Sequence, residues 1–194
     1  FMLESTQSLP INYYVQLPSC VPATPFEHAG AILSAGDLAP LLEESRVLGL
    51  GEMMDYPGVV TCKTDKMEKL AMAQGRVVDG HAPRLTGREL CAYVAAGISN
   101  DHESTTFAEA LEKMRLGQAI LVREGSASRN LEAILSGFIQ RGISPRFAAF
   151  CSDDKHLADL RREGSIRHCL RKAIALGLPV ADAYRMATIN AAHI

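Results

Sequence analysis

The sequence lacks a strong excess of either charge. Its 20 basic and 22 acidic residues give a formal net charge of −2 and a pI near 6.3, and they form no long block of one sign. It also lacks an apolar run long enough to span a bilayer and the basic-then-apolar layout of a signal peptide. These absences give no reason to expect nucleic acid or a membrane as partner, so we predict a small-molecule substrate.

Closely spaced cysteines are also missing. The five cysteines show no CxxC spacing, and their odd number argues against a secreted disulfide framework. We therefore predict a reducing, cytoplasmic location. The sequence leaves open whether the chain forms a homo-oligomer.

Motifs of several other enzyme classes are absent. Gly49 and Gly51 do not form a GxGxxG nucleotide loop because the third glycine is missing, and no Walker motif occurs. The stretch that starts at His102 and Glu103 is not HExxH, because its fifth position is not histidine. The HxE and PCxxC motifs of the small zinc deaminases are absent too.

Six short apolar runs are typical of β-strands, and segments with helical spacing lie between them. The runs are 11–17, 47–50, 77–78, Ile98, 119–122 and 147–151. Helices are predicted after Thr106, Ser128 and Ser165, and Thr106 with Glu109 forms a capping-box pattern. Strands that alternate with helices need right-handed crossovers, so we predict an α/β fold with parallel strands.

An acidic or imidazole residue follows four of these runs, at Glu52, His81, His102 and Asp153. The C-terminal ends of parallel strands meet around one mouth, where ligands and metals bind, so these residues can share one metal site. Taken singly, each residue has a simpler interpretation. Glu52 would be an acid in the first turn of a helix, Asp153 a helix N-cap, and each histidine an ordinary hydrogen-bonded residue.

Several stretches resemble the bacterial and archaeal adenine deaminases of the amidohydrolase superfamily, and they occur in the same order along nearly the whole chain. They are 21–27, 48–54, 78–83, 101–103, 123–127, 151–154 and 186–192. The resemblance implies a (β/α)8 barrel of the TIM type, of which the six strands would be the third to the eighth. It also implies a binuclear divalent metal centre of manganese or iron, with zinc as the alternative. The implied reaction deaminates adenine to hypoxanthine and ammonia.

The resemblance also implies roles for individual residues. Glu52 would bridge two metals, His81 and His102 would bind one of them, and Asp153 would bind the other. A metal-bridging hydroxide would attack the purine, and Asp153 would pass its proton to the departing nitrogen. One departure from the family is that no two histidines form the His-x-His pair of its first strand.

Neighbouring polar residues have two interpretations each. Glu103 is either a solvated neighbour of His102 or a catalytic-site contact to the purine. Asp79 and Asp101 either orient the histidines that follow them or are turn residues, with a slight preference for the turn. The residues at the seventh strand end that could line the substrate pocket are Arg123, Glu124 and Ser126.

The length of 194 residues, of which 47% are hydrophobic, suits one domain or most of one. Six strand units are two short of a closed eight-fold barrel, and the first residue is Phe1 rather than methionine. We therefore expect residues 1–194 to be a partial barrel domain of a longer polypeptide, without its N-terminal strands and C-terminal region.

Two other functions remain open at this point. The chain could belong to an amidohydrolase that acts on another cyclic amide or an imidazolone, because the barrel and the metals are shared more widely than the purine pocket. It could also be a non-catalytic binding or assembly module, which the missing His-x-His pair would favour.

Overall fold

Parallel strands follow the order of the chain in the computed structural model, which describes residues 2–194. The strands within these residues are β1 (Val15–Pro18), β2 (Val47–Met53), β3 (Val77–Gly80), β4 (Asn100–Asp101), β5 (Ala119–Arg123) and β6 (Ala148–Cys151). Each paired neighbour is parallel, with Leu50 beside Val78 and Val122 beside Phe150, for example. The predicted α/β class with parallel strands is confirmed.

The strands form two sheets of three rather than one sheet of six. The first contains β1, β2 and β3, and the second contains β4, β5 and β6. At the joint, the Ser99 backbone N–H donates to the Val78 carbonyl oxygen at 3.0 Å, and the Asn100 side-chain amide donates to Asp79 Oδ1 at 2.5 Å. The joint is therefore held by few hydrogen bonds, one of them between side chains.

Helices lie before the first strand, between the strands and after the last one. They are α1 (Met2–Ser5), α2 (Ala35–Leu38), the 3-10 helix Ala39–Glu43, α3 (Tyr56–Val60), α4 (Thr64–Met72), α5 (Gly87–Ala95), α6 (Phe107–Arg115), α7 (Leu131–Arg141), α8 (Leu157–Glu163), α9 (Ile166–Ala175), α10 (Val180–Ala187) and α11 (Ile189–His193). The helices predicted after Thr106, Ser128 and Ser165 are confirmed as α6, α7 and α9. Among residues 2–194, none of these helices has the length and apolar character needed to cross a membrane.

The capping box predicted at the start of α6 is only half formed. The Thr106 hydroxyl accepts from the Glu109 N–H at 3.3 Å, as predicted. The Glu109 carboxylate does not return this bond to Thr106; it accepts from the backbone N–H groups of Thr105 and Arg84. Glu109 is 8% exposed and faces the interior, so its side chain joins two loops instead of closing the helix end.

Two strands do not coincide with the apolar runs that predicted them. β1 begins at Val15, and Ile11 is exposed. β4 has only two residues, and the buried Ile98 lies before it. Apolar character therefore located both strands, while their ends depend on which backbone groups find partners in the neighbouring strand.

The buried apolar side chains form two clusters, one for each sheet. The first packs between β1, β2 and β3 and the helices around them, with Leu50, Met53 and Tyr93 fully buried. The second packs β5 and β6 against α7, α9 and α10, with Ile120 and Leu135 fully buried. The C-terminal strand ends lie beside both clusters, and the polar residues predicted from the sequence are found there.

Candidate metal centre

A bulge in β2 places the first of the predicted residues. The pairing of β2 with β3 moves from Leu50 opposite Val78 to Met53 opposite Gly80, so β2 uses one residue more than β3 over this stretch. Glu52 lies in this irregular stretch with a φ of 29°, in the left-handed region. Bulges often redirect a side chain beside a functional site. Glu52 lies in a strand and not in the first turn of a helix.

Two histidines lie at the ends of the next two strands. The His81 backbone N–H donates to the Tyr93 hydroxyl oxygen at 3.0 Å, and that hydroxyl donates to the Met53 carbonyl oxygen at 2.7 Å. The buried Tyr93 thus connects the ends of β2 and β3. The imidazole rings of His81 and His102 meet edge to face, with centroids 5.1 Å apart and planes at 74°.

The Glu52 carboxylate faces both imidazoles. Its Oε2 lies 3.3 Å from His81 Nδ1, and its Oε1 lies 3.9 Å from His102 Nε2. The interaction with His81 lowers the pKa of Glu52, with smaller contributions from His102 and Arg123 against the effect of burial. Glu52 in turn raises the pKa of His81, which burial would lower. The three residues therefore form one electrostatically coupled group.

Glu103 and Asp153 complete a second group around His102. Glu103 Oε1 lies 3.7 Å from His102 Nε2 and 3.8 Å from His81 Nδ1. Arg123 Nη1 donates to Glu103 and also contacts Asp153 Oδ2 at 3.0 Å. Hydrogen bonds and charges of these two carboxylates raise the pKa of Arg123, although burial alone would lower it. Glu103 therefore lies in the cluster and not in solvent, and Asp153 caps no described helix.

The donor atoms suit a divalent transition metal. Glu52, His81 and His102 offer ligand atoms within 4.8 Å of one another, and so do His102, Glu103 and Asp153, with His102 common to both groups. His81 Nδ1 is buried and makes no well-formed hydrogen bond, despite its contact with Glu52. A buried nitrogen without a hydrogen bond is available as a ligand, and imidazole with carboxylate suits manganese, iron or zinc.

Two of the predicted pocket residues point elsewhere. Glu124 is fully buried and pairs with Lys172 of α9 at 2.8 Å. The Ser126 hydroxyl donates to Asp159 at 2.5 Å and accepts from the His156 N–H at 2.9 Å. Successive residues of a strand face opposite sides, so Arg123 can face the mouth only if Glu124 turns towards the helices. Of the three, the structure brings only Arg123 to the cluster.

The two aspartates before the histidines differ in position. Asp79 lies within β3 and hydrogen-bonds Asn100, so the preference for a turn residue is wrong there; burial raises the pKa of its carboxyl. Asp101 is the last residue of β4 and is fully buried, and its Oδ2 accepts from the N–H groups of Glu103 and Ser104. Its Oδ1 also accepts from the Ala82 N–H, next to His81. Asp101 therefore joins the loops that carry the two histidines.

Sequence reasoning missed several residues that hold this site in place. Tyr93 supports His81, the Ser19 hydroxyl donates to the Glu52 carbonyl oxygen at 2.5 Å, and Asn130 accepts from Arg123 Nε at 2.8 Å. Lys113 bonds Asp101 and Glu109 in the interior. A signal existed only for Lys113, because it follows Glu109 by four residues on a predicted helix, the spacing of a stabilising ion pair.

Comparison with known proteins agrees with this geometry. The model of the amidohydrolase family matches residues 1–125. The chain belongs to the amidohydrolase family. The matched residues include the ends of β2, β3 and β4, and therefore Glu52, His81, His102 and Glu103 of the candidate metal centre.

Individual amidohydrolases are similar over the whole chain. The adenine deaminase of Desulfitobacterium hafniense (strain Y51) is 47% identical over 193 residues, which cover 100% of this chain and 34% of that protein. Adenine deaminase 2 of Carboxydothermus hydrogenoformans is also 47% identical over 193 residues, with the same coverage. The chain thus spans about a third of the length of the curated relatives it matches.

One solved structure shows a related fold. The β-aspartyl dipeptidase of Fervidobacterium islandicum AW-1 superposes with a TM-score of 0.53 at 16% sequence identity, over 93% of this chain and 54% of that one. At this identity the likeness concerns the fold alone.

Proposed function

We propose that the protein containing this chain is a metal-dependent hydrolase that deaminates adenine to hypoxanthine and ammonia. The observation that carries this proposal is the convergence of Glu52, His81, His102, Glu103 and Asp153 at the ends of β2, β3, β4 and β6, in two ligand groups that share His102. The similarity to proteins named adenine deaminase selects the substrate within the amidohydrolase family. The proposed role is adenine catabolism and purine salvage, in a reducing cytoplasm that suits five free cysteines.

The six strands are proposed to be the third to the eighth of a (β/α)8 barrel. Their parallel order and the helices between them support this, as does membership of the amidohydrolase family. Two further strands would complete such a barrel and supply the His-x-His pair that this sequence lacks. The joint between β3 and β4 would then be a weakly bonded part of a continuous barrel wall.

Glu52, His81 and His102 would hold one divalent metal, and Asp153 with Glu103 beside His102 would contribute to a second. Manganese or iron is the proposed metal, with zinc as the alternative, because carboxylate and imidazole ligands suit all three. A divalent metal bound there would lower the pKa of a water molecule and so supply a nucleophile.

The protein side chains transfer the proton and position the groups around the substrate. Asp153 accepts the proton of the attacking water and donates it to the amino nitrogen, so that the carbon–nitrogen bond breaks and ammonia leaves. Arg123 holds Asp153 Oδ2 at 3.0 Å and also bonds Glu103, so it fixes both carboxylates towards the mouth. Of the predicted substrate contacts we retain Arg123, because Glu124 and Ser126 bond to residues outside the cluster.

The first test is Asp153→Asn in the full-length protein. We expect the far-UV circular dichroism to be unchanged and the rate of ammonia release from adenine to fall by at least about 10²- to 10⁴-fold, the usual contribution of a general acid–base group. Asp154→Asn is the matched control, because Asp154 is the next residue and is exposed. Turnover at the wild-type rate in Asp153→Asn would remove the proposed base.

The same preparation separates the alternative functions. Ring opening of a cyclic amide or imidazolone without release of ammonia from adenine would assign the chain to another amidohydrolase activity. The metal content gives a second measurement. Two tightly held transition metals per chain agree with the enzyme, whereas the absence of metal in the full-length protein would indicate a binding or assembly module.

A further inference from the structure

A buried ion cluster lies behind the two histidines. It consists of Lys113, Asp101 and Glu109, and we call it the Lys113 cluster. Lys113 is fully buried, and its Nζ donates to Asp101 Oδ2 at 2.7 Å, Glu109 Oε1 at 3.0 Å and the Ala82 carbonyl oxygen at 2.8 Å. All three donor positions of the ammonium group are therefore used.

The cluster holds the loop that follows β3. Ala82, the residue after His81, donates its N–H to Asp101 Oδ1 at 2.9 Å and gives its carbonyl oxygen to Lys113. Arg84 donates its N–H to Glu109 Oε1 at 2.8 Å. The backbone just after His81 is thus fixed at three points by side chains of β4 and α6.

The cluster also holds the loop that follows β4. Asp101 directly precedes His102, and its Oδ2 accepts from the N–H groups of Glu103 at 3.0 Å and Ser104 at 3.1 Å. Glu109 Oε2 accepts from the Thr105 N–H at 3.0 Å. The two loops that carry His81 and His102 therefore share the same buried anchor.

A structural role alone would not require buried ions at this place. Removing charges from water costs several kcal/mol each, and well-packed apolar residues often stabilise a protein at least as much as a buried ion pair. Hydrogen bonds and ion pairs have preferred directions, so a buried polar cluster can fix the relative position of two loops more specifically than apolar packing. The joint between the two sheets has few strand hydrogen bonds, so the cluster connects the two loops at the place where strand pairing contributes least.

We propose that Lys113 is a positioning residue that sets the separation of His81 and His102 for metal binding. This proposal rests on the metal site of the proposed function. The three hydrogen bonds of Lys113 go to groups other than the histidine side chains. Lys113 acts through Ala82 and Asp101, which are the chain neighbours of His81 and His102. Outer partners of metal ligands commonly change metal affinity by about 10- to 100-fold.

The test compares Lys113→Gln with wild type in the full-length protein. Glutamine keeps a hydrogen-bond donor on a side chain one bond shorter, so the variant loses the charge and part of the bonding while a polar group stays in the interior. Lys172→Gln is the matched control, because Lys172 also pairs with a buried carboxylate, Glu124, at 2.8 Å. Mn²⁺ affinity is measured by calorimetric titration, and amide hydrogen exchange is measured without metal.

The expected result has two parts. Lys113→Gln binds Mn²⁺ at least about 10-fold more weakly than wild type. Without metal, its amides at 81, 82, 84 and 103–105 exchange faster relative to those of β5. Lys172→Gln changes neither quantity. Wild-type affinity together with unchanged exchange in folded Lys113→Gln overturns the proposal, and so does an equal loss of affinity in both variants.

The exchange measurement separates this proposal from the proposed function. If wild type binds no Mn²⁺ but amide exchange at 81, 82, 84 and 103–105 accelerates in Lys113→Gln, the metal function fails while the anchoring of the loops stands. If Lys113→Gln does not fold, Asp101→Asn replaces it, because that variant keeps the shape of the side chain that Lys113 bonds and removes the charge from that bond. Wild-type affinity and exchange in Asp101→Asn would then overturn the proposal.

Discussion

Two of the carboxylate residues in the cluster have backbone conformations that residues other than glycine rarely adopt. Glu52 has a φ of 29° and Asp153 a φ of 52°. In the left-handed region a Cβ atom approaches the carbonyl oxygen, at a cost of roughly 1–2 kcal/mol. Such strain persists where the surrounding structure holds the residue in place, often at functional sites. The conformation that points each carboxylate towards the cluster therefore lowers the stability of the fold.

This strain predicts an unusual order of stability for two variants at one position. Glu52→Ala and Glu52→Gly both remove the carboxylate, so their difference isolates the backbone. We expect Glu52→Gly to be more stable than Glu52→Ala by about 1 kcal/mol, because glycine tolerates positive φ. Chemical denaturation of both variants measures the difference.

Ala133 provides the control for that comparison. It is exposed within α7, where glycine destabilises by about 1 kcal/mol relative to alanine, so Ala133→Gly should show the opposite sign. If Glu52→Gly were the less stable of the two Glu52 variants, the left-handed conformation would not be a source of strain.

Arg123 supplies the positive charge beside Glu103 and Asp153. Its side chain is 8% exposed, and those of Glu103 and Asp153 are 13% and 23% exposed. Removal of one partner from a largely buried ion pair leaves uncompensated charge and destabilises strongly. A divalent metal beside the same carboxylates would offset part of that loss.

Arg123→Met should therefore make stability depend more on metal. With chelator present we expect a loss of about 2–4 kcal/mol relative to wild type. Added Mn²⁺ should raise the melting temperature of the variant by more than it raises that of wild type. Thermal unfolding with and without Mn²⁺ measures both effects. Arg141→Met, at an exposed arginine that stacks on Phe107, should respond to Mn²⁺ as wild type does; an equal Mn²⁺ effect in Arg123→Met would contradict the argument.

The residues of the site were predictable where their position at the end of a strand determines that they lie in the site. Glu52, His81, His102 and Asp153 follow apolar runs, and parallel strands bring such positions together. The prediction that Glu124 lines the pocket was wrong because adjacent residues face opposite sides, a distinction that the run of polar and small residues after β5 obscures. Lys113 was missed because a lysine on a helix is usually solvated, and only the tertiary contacts show that this one is buried.

Helix ends were predicted well where local chemistry defines them. α6 begins after Thr106, whose hydroxyl accepts a hydrogen bond from its first turn, and α6 and α7 end just before Gly117 and Gly142, both of which have positive φ. α7 begins at Leu131 and not directly after Ser128, and Asn130 at its start makes no capping hydrogen bond. β4 was harder, because its two residues are defined by pairing with β5 and not by an apolar pattern. Local signals thus locate helices, whereas a short parallel strand depends on its neighbours.

The contact between β3 and β4 depends on a glycine. A Cβ atom at Gly80 would lie 2.2 Å from the Asn100 carbonyl oxygen, a backbone atom that cannot move without shifting β4. Gly80 precedes His81, and Asn100 lies two residues before His102. The spacing of the two histidines therefore depends on this close approach.

Gly80→Ala should push the two strands apart. We expect a loss of stability of about 1–3 kcal/mol from overpacking, together with weaker Mn²⁺ binding. Denaturant unfolding and metal titration of the full-length protein measure these effects. Gly36→Ala is the control: it lies in α2 at ordinary φ, its Cβ would lie 3.7 Å from Ser34 Oγ, and alanine there should be neutral or stabilising. Wild-type stability and affinity in Gly80→Ala would show that the strands can relax around the extra methyl group.

The whole molecule consists of two cores that meet at the joint between β3 and β4. The first core surrounds β1, β2 and β3, and the second surrounds β5 and β6. The Lys113 cluster bridges the two parts beside the candidate metal centre. A second ion cluster, centred on Glu163, holds the loops of the second part, with Arg129 after β5 and Lys155 after β6 each 3.2 Å from its carboxylate.

The Glu163 cluster predicts part of the acid sensitivity of the molecule. Hydrogen bonds from Arg162 and Arg129 lower the pKa of Glu163 to about 2. In the unfolded chain the pKa of a glutamate is roughly 4.3. The folded state therefore binds fewer protons at this residue, and its stabilisation is present above about pH 4.3 and is lost as the pH falls towards 2.

Glu163→Gln should accordingly lower the melting temperature at pH 7 by about 2 °C, as expected for a partly exposed ion network. Its difference from wild type should shrink between about pH 4.5 and pH 2, because protonation of Glu163 removes the same charge from wild type. Thermal unfolding at a series of pH values measures the difference, and Glu132→Gln on the exposed face of α7 is the control. A difference that stays constant down to pH 2 would mean that the carboxylate stabilises the fold through packing and not through its charge.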